Sequence, residues 1–166
     1  MPIIQHITAT IAVSGPKPVE IASYGDGSPG SFVSVRIGGA LIYVHDQLAA
    51  ECYANAWLCD DSAGPSLFLS TTVRPMVITD PASEHYPVVA IHAHGSDHTS
   101  ATYEPERREL IIHIGYVRWV VRDQHAYRAH TNAWRQVAQL SLLVLPLSRA
   151  VNKRRAGSRR TGNDDD

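Results

Sequence analysis

Residues 33–57 read VSVRIGGALIYVHDQLAAECYANAW, and residues 110–134 read LIIHIGYVRWVVRDQHAYRAHTNAW. The two stretches align without a gap at an offset of 77, and nine of their 25 positions are identical. At average residue usage about one or two identities would arise by chance. The chain therefore contains an internal duplication.

The first copy reads as a β-hairpin followed by a helix. Apolar and polar residues alternate over 33–37, which is typical of a half-buried strand. Gly38-Gly39 favours a tight turn, and a second strand follows over 40–45. Asp46 then stands where a helix N-cap is expected, and apolar residues recur at helical spacing up to Trp57.

The second copy repeats this order. Its hairpin is predicted over 110–122, and Asp123 is its predicted helix cap. The helix is expected to continue to Leu145, because Pro146 cannot extend it.

Two further strands are predicted upstream of each hairpin. In the first half they span 7–13 and 19–24, and in the second half 67–79 and 88–94. The polar stretch 95–108 is predicted to be a loop.

The predicted fold class is α+β, with two tandem ββββα repeats forming one pseudo-symmetric domain of antiparallel sheets with helices packed on one side. Residues 1–60 form repeat 1, 61–66 a connector and 67–148 repeat 2. Residues 149–166 form a flexible basic tail that ends in three aspartates. Each half has too little core to be stable alone, so the two are expected to pack together.

Composition narrows the class of protein. The 166 residues are 44% hydrophobic and 19% charged, as in an ordinary globular domain. No apolar run is long enough to span a membrane, and the first residues show no basic region ahead of an apolar block, so no secretory signal and a cytoplasmic protein are expected. Only two cysteines occur, Cys52 and Cys59, and both are predicted to be buried reduced thiols.

The repeat length, the hairpin-helix order and the tandem arrangement resemble the PUR-repeat domain and the related Whirly-type fold. This resemblance covers residues 5–145 and is one of topology. It implies curved antiparallel sheets that hold single-stranded nucleic acid against an exposed face through aromatic and basic residues.

The pleat of the predicted strands indicates which side chains would form that face. Opposite the apolar positions stand Arg, Tyr and His side chains that can contact phosphates or stack on bases. The predicted nucleic-acid-binding residues are Arg36, Tyr43, His45, His113, Tyr116, Arg118 and Arg122, with Lys153, Arg154 and Arg155 of the tail. His92 and His94 are expected beside the second-repeat residues of this face, on the neighbouring strand. A solvated sheet face with no binding role is the competing interpretation of this pattern.

The string from His92 to His98, HAHGSDH, is similar to the HxHxDH metal motif of metallo-β-lactamase-type hydrolases but has one residue too many. His92, His94, Asp97 and His98 are therefore weak candidates for metal ligands. A metal-dependent hydrolase is one alternative function. The main prediction has no cofactor and no catalytic residue, since nothing in the sequence joins a nucleophile to a base.

A protein–protein interaction or dimerisation module is the other alternative. A homodimer and a protein partner for the acidic C-terminal tip are further expectations. Trp57 and Trp134, at equivalent positions of the two helices, are predicted to pack in the core.

The formal net charge of −1 is an average over unlike parts. The acidic residues outnumber the basic ones over 1–70, whereas 71–150 is nearly balanced and holds seven of the nine histidines. The second repeat and the tail are therefore expected to dominate any binding of a nucleic-acid strand.

Overall fold

The computed structural model describes residues 9–58, 69–73 and 89–147. These residues form an α+β fold with two four-stranded sheets and two helices, which confirms the predicted fold class. The elements are β1 (Ala9–Val13), β2 (Val19–Tyr24), β3 (Phe32–Ile37), β4 (Ala40–Val44), α1 (Gln47–Leu58), β5 (Val89–Ala93), β6 (Thr99–Glu104), β7 (Glu109–Ile114), β8 (Val117–Val121) and α2 (Gln124–Val144).

Each sheet contains three strands of one repeat and one strand of the other repeat. The first sheet has the order β2-β3-β4-β5 and the second the order β1-β8-β7-β6. β5 pairs in parallel with β4, and β1 pairs in parallel with β8, whereas the other pairs are antiparallel. Each sheet therefore departs from the predicted purely antiparallel pairing at the one strand that comes from the other repeat.

Both helices begin at an aspartate cap, as predicted. Asp46 Oδ1 accepts a hydrogen bond from Ala49 N, and Asp123 Oδ1 accepts one from Ala126 N, both at 2.9 Å. α2 ends at Val144, directly before the segment that contains Pro146. The caps satisfy amides that have no partner inside the helix.

Each helix crosses to the sheet of the other repeat. α1 follows β4 of the first sheet but packs on β6 and β7 of the second, and α2 follows β8 but packs on β2 and β3. The helices also pack on each other. One apolar core therefore joins both repeats, as the small size of each half requires.

Three tryptophans fill the centre of this core. Trp57, Trp119 and Trp134 are fully buried, in agreement with the predicted structural role of Trp57 and Trp134. Trp57 stacks on His130 with 4.6 Å between ring centroids, and Trp119 meets the same ring edge-on at 5.7 Å. These aromatic contacts tie α1, α2 and β8 together.

The predicted loop over 95–108 is wrong, because it contains β6. β5 and β6 lie 80 residues after β1 and β2, whereas β7 and β8 lie 77 residues after β3 and β4. The strand predicted over 88–94 is thus the counterpart of β1. Of the strand predicted over 67–79, only residues 69–73 are described, and they form an isolated bridge between Ser70 and Asp123.

The connector and the tail lie outside the described residues. In the described part of the chain, no helix is long and apolar enough to cross a membrane.

Candidate nucleic-acid interface

The outward face of the first sheet carries a row of aromatic rings. Its inward face holds Val33, Val35 and Ile42, all fully buried, so the alternate positions point to solvent. Register aligns Tyr24 with Phe32 across β2 and β3, and Tyr43 with His92 across β4 and β5. We name this row the ring ladder, and its members are Tyr24, Phe32, Tyr43, His92, His45 and His94.

The rings of the ladder contact one another in sequence. Tyr24 stacks on Phe32 at 4.7 Å between centroids, and Phe32 meets Tyr43 edge-on at 5.4 Å. Tyr43 stacks on His92 at 4.9 Å, His92 on His45 at 5.2 Å, and His45 on His94 at 4.2 Å. The last three contacts are nearly parallel, with interplanar angles of 18°, 14° and 6°. Since side chains stand roughly perpendicular to a sheet, these stacked rings present their polar edges to solvent.

The histidine end of the ladder is held by a hydrogen bond between two imidazoles. His45 Nε2 lies 2.9 Å from His92 Nδ1, so one ring donates to the other. Burial lowers the pKa of His45 below its ordinary value, and His94 and His92 lower it further, against an opposing effect of Asp46. His45 is therefore neutral at pH 7, and its ring is fixed by stacking and by this bond.

The three described arginines that are predicted to bind phosphate each face a carboxylate. Arg36, on the ladder's face, lies 3.9 Å from Glu20. On the second sheet, Arg118 lies 3.8 Å from Glu104, and Arg122 Nε donates to Glu109 Oε1 at 3.1 Å. Arg36 and Arg118 are about one-third exposed, so their ion pairs are weak and can open to an incoming phosphate.

The predicted binding residues fall on two sheets. Arg36, Tyr43 and His45 belong to the outward face of the first sheet. His113 and Arg118 are paired across β7 and β8 of the second sheet, and Tyr116 lies in the turn between them. The second set comprises His113, Tyr116, Arg118 and Arg122. Lys153, Arg154 and Arg155 lie outside the described residues.

Tyr24 and Phe32 are ladder members that the sequence interpretation missed. Phe32 is two residues before Ser34 and four before Arg36, so strand alternation places it on their face. Tyr24 is then fixed opposite Phe32 by the register across the glycine-rich turn, which sequence alone does not reveal.

The string from His92 to His98 divides between the two sheets. His92 and His94 join the ladder, whereas His98 O accepts a hydrogen bond from Gly115 N at 2.9 Å in the second sheet's hairpin turn. Asp97 O accepts a weak bond from Cys52 Sγ at 3.6 Å. Within residues 9–58, 69–73 and 89–147, no group of three His, Cys, Asp or Glu side chains is arranged to hold a metal ion.

The cysteines give no redox pair in the described part of the chain. Cys52 is a free, half-buried thiol whose pKa is raised by burial, and Cys59 lies outside the described residues.

A cavity of about 680 Å³ opens at the histidine end of the ladder. Four separate segments line it: the β2–β3 turn, the β4–α1 junction, the β5–β6 turn and the residues after α2. The lining residues are Pro29, Gly30, Ser31, His45, Asp46, His94, Gly95, Pro146 and Leu147. Since His45 and His94 belong to both features, the ladder leads directly into the cavity.

The chain matches no protein-family model, and no curated protein or solved structure is significantly similar to it. The resemblance to the PUR-repeat and Whirly-type folds therefore stays a prediction from topology.

Proposed function

We propose that this protein binds single-stranded nucleic acid on the outward face of its first sheet, without catalysing a reaction. The observation that carries the proposal is the ring ladder, six contiguous aromatic side chains on a solvent-facing sheet surface. Soluble domains bury most of their large aromatic rings, whereas proteins that bind single strands display them as stacking platforms.

The ladder offers two kinds of contact to a strand. Its polar edges, the hydroxyls of Tyr24 and Tyr43 and the imidazole N–H groups, can donate to phosphates and to base edges. Among the described residues, the end rings Tyr24 and His94 each stack on one ring only, which leaves their other faces for bases. Each base stacked on an aromatic ring contributes about 1–3 kcal/mol.

The proposal departs from the expectation that the second repeat dominates binding. Arg118 and Arg122 face Glu104 and Glu109, so the second sheet offers little net positive charge on that surface. Ile111 and Val120 are paired at the centre of the face that carries Arg118, and both are buried, so this part of the second sheet presents no rings to solvent. Aromatic contact rather than charge therefore favours the first sheet.

Fluorescence anisotropy with labelled 12-nucleotide single-stranded DNA and RNA at about 50 mM salt tests the proposal. We expect saturable binding to at least one of them and weak binding to a 12-base-pair duplex, whose bases are already stacked. With few unpaired cations on the face, the logarithm of affinity should fall by roughly 1–2 for each tenfold rise in salt. Absence of binding to both single strands would overturn the proposal.

A second candidate function, self-association into a homodimer, is favoured by a different observation. Leu142, Leu143 and Leu147, at the end of α2 and just beyond it, are 68%, 79% and 68% exposed. Burial of such side chains against a second copy would remove apolar surface from water. Light scattering over a range of protein concentrations tests this candidate, and a mass that stays monomeric up to about 100 μM would overturn it.

A further inference from the structure

The cavity at the end of the ring ladder has a described lining that disfavours a phosphate and can accept a nucleobase. Among the described residues that line it there is no lysine or arginine, and the one carboxylate belongs to Asp46. That carboxylate is held in place by Ala49 N at 2.9 Å and Gly95 N at 2.8 Å. A phosphate would be repelled there, whereas an amino group would find a fixed acceptor.

The remaining walls suit a flat, partly apolar ring. Pro29, Pro146 and Leu147 supply apolar surface, and His94 supplies an aromatic ring that is already stacked on His45. The volume of about 680 Å³ is within the range of small-ligand sites and exceeds what one nucleobase needs. The other face of His94 is the next stacking position along the ladder.

We infer that this cavity is a subsite for a single nucleobase with an exocyclic amino group, namely cytosine, adenine or guanine, at one end of the bound strand. The amino group donates to the Asp46 carboxylate, and the ring stacks on His94. This inference rests on the proposed function, because it assigns the cavity to the strand that lies along the ladder. Thymine and uracil lack the amino group and bind the subsite more weakly.

Nucleoside titrations test the subsite directly. Deoxycytidine, thymidine and inorganic phosphate are each titrated into the full-length protein while the imidazole C–H signals of His45 and His94 are followed by NMR. We expect a saturable shift with deoxycytidine, an affinity at least fivefold lower for thymidine, and no saturable shift with phosphate. A response to phosphate alone, or equal responses to the two nucleosides, would overturn the assignment.

A matched pair of variants locates the response. Leu147 lines the cavity and Leu143 does not, and both side chains are largely exposed, so neither change should prevent folding. Leu147→Trp should weaken deoxycytidine binding at least tenfold, whereas Leu143→Trp should leave it within twofold. Equal effects of the two variants would contradict the location.

Anisotropy of a labelled decanucleotide on the wild-type protein separates the two hypotheses. If the decanucleotide binds and deoxycytidine gives no response, the subsite is wrong and the proposed function stands. If the decanucleotide does not bind, the proposed function is wrong and the assignment of the cavity to its strand falls with it.

Discussion

Asp123 Oδ2 accepts a hydrogen bond from Gly15 N at 2.9 Å, although the two residues are 108 positions apart. The equivalent carboxylate of the first repeat, Asp46, accepts one from Gly95 N at 2.8 Å. Gly15 and Gly95 follow β1 and β5, the strands that the repeats exchange. Each helix cap therefore also fixes the end of the strand that comes from the other repeat.

The two caps should differ in their contribution to stability. Asp123 is fully buried and also accepts from Ser14 Oγ at 2.8 Å, whereas Asp46 is half-buried. Loss of a cap costs about 1 kcal/mol, and each buried donor left without a partner adds roughly 1–3 kcal/mol. Asp123→Ala should therefore lower the free energy of unfolding by about 3 kcal/mol and Asp46→Ala by about 1–2 kcal/mol in urea titrations. A larger loss for Asp46→Ala would contradict the account.

Two glycines of the β2–β3 turn provide a matched test of close packing. Gly25 and Gly27 have φ angles of 102° and 89°, so alanine is strained at both. A Cβ at Gly25 would also lie 2.9 Å from Ser31 Cα and 2.7 Å from Ser31 Cβ, whereas one at Gly27 meets nothing within 4 Å. Gly25→Ala should destabilise the protein by about 1–2 kcal/mol more than Gly27→Ala in urea unfolding. Equal losses would show that the Ser31 backbone moves away at no cost.

His130 should make the protein sensitive to acid. Burial between Trp57 and Trp119 lowers the pKa of His130 to about 3, while the unfolded chain takes up the proton near the ordinary histidine pKa of 6.5. Between these pH values the unfolded state binds more protons than the folded state. The contribution of neutral His130 to the free energy of unfolding is therefore fully present above pH 6.5 and is lost as the pH drops towards 3. The contribution of this group approaches about 1.4 kcal/mol per pH unit.

His130→Leu should remove that dependence, and urea unfolding at several values between pH 6.5 and 4 measures it. Because His130 Nδ1 has no hydrogen-bond partner among the described residues, an apolar side chain of similar volume removes a buried polar atom that is unpaired there. The unfolding free energy of the variant should decline less steeply with acid than that of the wild type. Parallel slopes would contradict the assignment to His130.

The sequence predicts those features that depend on residues close together in the chain. The hairpins, both aspartate caps and the end of α2 before Pro146 depend on neighbouring residues, and all agree with the structure. β6 was missed because it is an edge strand whose first four residues are exposed on both faces, so it has no apolar period. The exchange of β1 and β5 was missed because alternation reports which face a side chain takes and not which strand lies beside it.

In the candidate site too, the outward position of a side chain is predictable from the sequence, whereas the neighbouring strand is not. Pleat alone placed Tyr43, His45, His92 and His94 on outward faces, but the assignment of His92 and His94 to the second repeat's face is wrong, because β5 pairs with β4 and the four rings stack on the first sheet. The transfer of His92 and His94 to the first sheet depends on the tertiary pairing of β5 with β4. No local pattern in the sequence contains that information.

Substitution of one ladder tyrosine tests the central claim most directly. Tyr43→Ala removes the ring between Phe32 and His92, and Tyr116→Ala makes the same chemical change in the turn of the second sheet, where the side chain is 60% exposed. Anisotropy with the 12-nucleotide single strand should show a five- to thirtyfold loss of affinity for Tyr43→Ala, or about 1–2 kcal/mol, and less than a twofold change for Tyr116→Ala. Unchanged binding by Tyr43→Ala together with a loss for Tyr116→Ala would contradict the account, because it would place the strand on the second sheet.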